Sequence, residues 1–183
     1  MIQTTINLSV DSKGTGRPSL LYLPISYAFG QDTYPLLVFL HGTEEGSTSH
    51  DLSKIYNSST AGGPAYFIEQ KLWPSSSPFI VISPQANYGV STTAAELEFI
   101  LTDIISKYRI DISRIYLTGL SAGGEGILEY IGKIDGLGHT VPATHKIAAF
   151  MPMSATMNAT YQQQYAKQIV ADNVQTWGFG SPE

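Results

Sequence analysis

The chain has 183 residues, no cysteine and a formal net charge of −5. That length suits one domain with a sizeable core, and the missing cysteines exclude a disulfide framework and thiolate-bound zinc. The mild negative charge, without a basic block, argues against nucleic acid and anionic membrane as partners.

No run of about 18 apolar residues offers a membrane span. The opening residues read directly as strand and carry no signal-peptide pattern. Residues 3–10 and 19–23 alternate like strands around a turn at 12–16. Residues 36–41 (Leu-Leu-Val-Phe-Leu-His) are continuously apolar up to the histidine, as expected of a strand buried on both faces. A Gly/Ser/Thr-rich loop follows, then a helix around 64–72 and a second buried strand at 79–83, stopped by Pro84. The clearest helix spans 94–108. Leu97, Ile100, Leu101, Ile104, Ile105 and Tyr108 form its apolar stripe, and Thr93 with Glu96 has the form of a capping box at its start. A strand at 114–118 comes next, then a helix to about Lys133, a strand at 147–152, a helix at 162–170 and a last strand at 174–179. Strand–helix alternation with apolar strands predicts one α/β domain over residues 1–183: a mostly parallel sheet flanked by helices, with the two leading strands as an antiparallel edge. In such a sheet chemistry sits at the carboxyl ends of the strands.

Two strands end in reactive patterns there. Gly119-x-Ser121-x-Gly123 follows a buried strand and precedes a helix, the context in which G-x-S-x-G forms a sharp turn with an exposed serine hydroxyl. The turn strains the serine and leaves no room for flanking side chains. The glycine spacing does not fit a dinucleotide-binding fingerprint. The pattern predicts Ser121 as a nucleophile. The amide of Ala122 is then one donor to a developing oxyanion, and the amide of Thr43, in His41-Gly42-Thr43, is the other. Gly42 is expected to let that backbone turn sharply. His41 ends a buried strand and is expected to prop this loop rather than act as base. The four histidines have no metal-ligand spacing with one another, so neither a metal nor a cofactor is expected.

The segments 36–42, 79–85 and 111–124 resemble the α/β-hydrolase serine esterases, and 146–155 looks like the next strand of that group. The nearest likeness is to the polyhydroxybutyrate depolymerase, feruloyl esterase and "predicted peptidase" cluster, over about residue 18 to the end. The resemblance implies an α/β-hydrolase fold and ester hydrolysis through an acyl-serine, on acyl or aryl esters of carbohydrate or on a polyester. A peptidase of the same fold stays open. It also implies that Gln85 lies at the rim of the site and Glu125 just behind the nucleophile. Together with His41, either would contact substrate or serve structure alone.

In the group's pattern a strand ends in His-Gly-x-x-Asp, whose aspartate is the triad acid. Here Phe179 and Gly180 replace His-Gly and Glu183 falls on the acid, with an aspartate beyond it as the alternative. The histidine base is expected later in the chain, so the sequence reads as a hydrolase truncated at its C-terminus. His50, His139 and His145 are the other candidates for an unusual base. Loss of the last strand and helix would leave an unpaired apolar edge that invites homodimerisation. The competing reading is a hydrolase-like binding module that lacks the triad histidine. Sparse charge with abundant Ser, Thr and Tyr points to a secreted or periplasmic protein on composition alone.

Overall fold

The computed structural model describes residues 3–57, 62–155 and 159–178. Seven strands form one sheet: β1 (Thr4–Ser9), β2 (Gly16–Tyr22), β3 (Tyr34–Leu40), β4 (Ile80–Pro84), β5 (Ile110–Leu120), β6 (Ala149–Met153) and β7 (Gln175–Thr176). Their spatial order is β1-β2-β4-β3-β5-β6-β7. β2 pairs antiparallel with both β1 and β4, and every pairing from β4 through β7 is parallel. The helices are α1 (Ser53–Asn57), α2 (Pro64–Glu69), α3 (Ala94–Lys107), α4 (Ala122–Gly132) and α5 (Gln162–Ala171).

The two central apolar runs sit where their composition requires. β4 is buried at all five positions, and in β3 only Leu37 is partly exposed. Alternation along β3 divides its side chains between two layers. Leu36, Val38 and Leu40 join the main core with Leu97, Ile100, Leu101 and Ile104 of α3 and Ile127 of α4. Phe39 points the other way, against Ile55 of α1 and Ala65 of α2. On that second face α1 and α2 lie over the β2, β4 and β3 side. Beyond them Leu37, Phe79, Tyr116, Met151, Met153 and Trp177 line an apolar trough of about 380 Å³.

The predicted cap of α3 is present in both directions. Thr93 Oγ1 accepts from the Glu96 amide at 3.2 Å, and Glu96 Oε2 accepts from the Thr93 amide at 2.9 Å. Glu96 also forms an ion pair with Arg17 of β2, so the cap ties the helix to the sheet. Thr93→Ala removes one half of the cap. It is expected to lower unfolding free energy by about 1 kcal/mol, read as a shift in urea midpoint at constant slope.

Several elements differ from the sequence expectation. β2 starts at Gly16, which pairs with Ser9, and β5 runs from Ile110, which pairs with Tyr34 ahead of a register shift, to Leu120, which pairs with Met153, so both strands outrun their apolar alternation. The last strand shortens to Gln175–Thr176. Two 3-10 turns, Ile25–Ala28 and Thr43–Glu45, and the five-residue α1 were not anticipated; such short elements carry too few residues for a periodic signal.

Candidate active site

Ser121 joins β5 to α4 with φ 50° and ψ −120°, well outside the regions an L-residue favours. Two backbone bonds hold it there. Its amide donates to the carbonyl of Met153 at the end of β6 (2.8 Å), and its carbonyl accepts from the Glu125 amide (3.1 Å). The residue is exposed, so the strained turn presents its hydroxyl to solvent.

The glycines around it are demanded by distance. A Cβ on Gly119 would lie 2.6 Å from the backbone of Gly123. One on Gly123 would lie 2.1 Å from the carbonyl oxygen of Leu40, at the end of β3. One on Gly126 would lie 2.2 Å from the Thr92 carbonyl, just before α3. Glycine at these positions lets α4 seat its first turns directly on the ends of β3 and β5.

The loop after β3 lies against this turn. A Cβ on Gly42 would fall 3.7 Å from Ser121 Cβ and 3.5 Å from the Leu120 carbonyl oxygen. Gly42 itself has φ −76° and ψ 179°, ordinary extended backbone. The expectation that glycine is needed there for a sharp turn is therefore corrected: the backbone is ordinary, and the tightest neighbour a Cβ would meet is the Glu45 carboxyl at 3.1 Å. Thr43 opens the 3-10 turn Thr43–Glu45, and Ala122 opens α4. The first amides of a helical turn have no partner within it. The N-terminus of α4 adds its own preference for negative charge. The arrangement suits an anionic oxygen beside Ser121.

His41 and Gln85 stand behind the loop. His41 is 4% exposed. Its Nε2 accepts from the Ala86 amide at 2.9 Å, which places the ring proton on Nδ1, donated to the Gly42 carbonyl at 2.6 Å. Burial lowers its pKa below the usual histidine value and favours the neutral ring. Gln85, 2% exposed, donates through Nε2 to the carbonyls of Glu45 (3.1 Å) and Asp51 (2.7 Å). The Ser47 amide adds a bond to the Ala86 carbonyl at 3.0 Å. These bonds brace the loop from within. Glu125 is half-buried in the first turn of α4, where the helix dipole favours an acid.

Among the described residues no histidine hydrogen-bonds to the Ser121 hydroxyl. His139 and His145 follow α4, whose 11 residues carry the chain about 16 Å away from Ser121. His139 pairs with Asp135 at 2.9 Å, and His145 meets Thr102 of α3 at 3.0 Å. His50 is exposed in the loop before α1. Glu183, with Phe179 and Gly180, lies outside the described residues. Two participants were not read from the sequence. The Met153 carbonyl holds the serine amide, and a backbone atom leaves no sequence signal. Glu45 is a buried carboxylate next to the loop; its only signal is a pair of acids directly after His-Gly-Thr.

No family model matches the sequence. A bifunctional acetylxylan esterase/xylanase, XynS20E of Neocallimastix patriciarum, is 28% identical over 160 residues, covering 82% of this chain and 20% of that protein. Among solved structures, a thermostable esterase superposes with TM-score 0.60 at 20% identity, over 98% of this chain and 55% of its own. A ferulic acid esterase superposes with TM-score 0.56 at 14% identity, over 98% and 90%. This chain therefore spans a fifth of the curated relative and about half of the thermostable esterase. With the sheet order and the strained serine turn, these likenesses establish an α/β-hydrolase fold.

Proposed function

We propose that this chain is a serine carboxylic-ester hydrolase domain with Ser121 as nucleophile. The observation that carries the reading is the strained Ser121 turn, with the loop of Gly42 and Thr43 packed against it. Ser121 Oγ attacks the carbonyl carbon of a bound ester and gives up its proton to a base. The carbonyl oxygen becomes an oxyanion, to which the amides of Ala122 and Thr43 donate. The tetrahedral intermediate expels the alcohol, which takes up a proton, and leaves the acyl group on Oγ. Water then attacks the acyl carbon, releases the acid and restores the hydroxyl. The acetylxylan esterase/xylanase similar to this chain supports an acyl ester on carbohydrate as the substrate class.

One observation favours a second reading, a hydrolase-like binding module: no described histidine reaches Ser121. An acyl-trapping experiment separates the two. The chain is exposed to p-nitrophenyl acetate, quenched in acid and weighed intact. One acetyl adduct is expected, mapped by peptide fragmentation to Ser121. A chain that stays unmodified while still binding acetylated xylo-oligosaccharide overturns the acyl-serine reading.

A further inference from the structure

Glu45 takes no part in the steps above, yet it is the one acidic residue among the described residues that is fully buried, at 4% exposure. Burying a carboxylate is costly unless the surroundings satisfy it, so its place calls for a structural reason. Glu45 closes the 3-10 turn Thr43–Glu45, three residues after the capping Gly42. From that position a glutamate reaches back toward the backbone of the cap, as in a capping box. The geometry agrees. Glu45 Oε2 lies 3.1 Å from the point a Cβ on Gly42 would take, and Ser121 Cβ lies 3.7 Å from that same point. The carboxylate is therefore lodged under Gly42, on the side facing the serine turn.

The rest of Glu45 is fixed as firmly. Its carbonyl accepts from Gln85 at 3.1 Å, and the next residue, Gly46, packs so closely on the β4–α3 loop that a Cβ there would meet the Asn87 carbonyl oxygen at 2.5 Å. His41, braced between Ala86 and Gly42, feels the Glu45 charge from the strand side.

We propose that Glu45 is a positioning residue of the oxyanion hole: its carboxyl, held against Gly42, aims the Thr43 amide at the oxygen of the carbonyl that Ser121 attacks. The inference rests on the ester-hydrolase reading. It concerns shape rather than charge, because a negative charge this close to a developing oxyanion opposes it. A neutral side chain of the same shape therefore serves as well.

The test compares wild type with Glu45→Gln, Glu45→Ala and Glu45→Asp. Two readouts are taken: kcat and KM on an activated acetyl ester, and amide hydrogen exchange of peptides covering residues 41–46. Misplacing one donor is expected to lower kcat by about 100-fold in Glu45→Ala. KM should stay within about twofold, since the interaction belongs to the transition state. Loop amides should exchange faster in that variant, while α3 amides keep their protection. Glu45→Asp, which withdraws the carboxyl by one methylene, should behave like alanine and covers the case in which alanine fails to fold. Glu45→Gln should restore both readouts. Wild-type kcat and exchange in Glu45→Ala, or a glutamine variant as impaired as alanine, would overturn the proposal. If wild type itself turns over no faster than Ser121→Ala, the hydrolase reading fails. The exchange comparison then decides the positioning role alone, and unchanged loop exchange in Glu45→Ala rejects it.

Discussion

Ester turnover by Ser121→Ala is expected to fall by at least about 10³-fold relative to wild type. The substitution takes away one oxygen and leaves the turn intact, since the bonds that hold residue 121 are its amide to Met153 and its carbonyl from Glu125. Folding is therefore not what the variant tests. In serine hydrolases the nucleophile and base act as a unit: removing either costs on the order of 10⁶ in kcat and leaves about 10³ to 10⁴ over water from the oxyanion hole and binding. A chain without a working base would already sit at that residual level, and Ser121→Ala would change nothing. The size of the drop thus reports on the base as well as on the serine. A drop of the expected size makes His50 the described histidine to vary first. It is exposed, and it lies on the loop that the Ser47–Ala86 bond holds to the end of β4. Equal rates in the two proteins would assign this chain to the binding-module reading.

How far the sequence carried this site depends on which interactions have a local signature. The apolar runs of β3 and β4 are legible because a strand buried on both faces excludes polar residues along its whole length. The α3 cap is legible because both of its bonds come from two side chains three positions apart. The serine turn is legible because two close backbone approaches force glycine at 119 and 123. Glu45 is different. It becomes meaningful only once β3 and β5 lie side by side and bring residue 42 against residue 121, and that pairing joins segments about 80 residues apart in the chain. The role of Gly42 was misread for a related reason: its backbone is ordinary, and the tight contact a Cβ would make is with the Glu45 carboxyl, whose inward turn shows only in the folded loop. β7 pairs over two polar residues only, Gln175 and Thr176, so no apolar alternation marks where its pairing starts and stops.

Gly123→Ala is expected to destabilise the domain by roughly 3 kcal/mol or more, a large part of the 5–15 kcal/mol typical of a whole domain. Helix propensity alone points the other way, since alanine within α4 should gain about 1 kcal/mol over glycine. Sterics decides the sign. The new Cβ would lie 2.1 Å from the Leu40 carbonyl oxygen, 2.6 Å from its carbon and 2.7 Å from the His41 carbonyl oxygen. All three are backbone atoms at or just past the end of a central strand, where Leu40 pairs with Gly119 of β5 and His41 is braced by its own side chain, so none can swing away easily. Gly16→Ala is the matched control. Its Cβ would approach Asn7 at 3.5 Å, an ordinary contact, and its effect should stay within about 0.5 kcal/mol. Urea unfolding followed by tryptophan fluorescence measures both, and a Gly123→Ala midpoint equal to wild type would mean that α4 is not seated on β3 as described. The same seat explains the functional arrangement. Gly123 presses the start of α4 onto the residues that lead into Gly42 and Thr43, so one close contact sets the distance between the serine turn and the loop beside it. A variant that survives the clash by lifting α4 should therefore lose ester turnover more steeply than it loses stability.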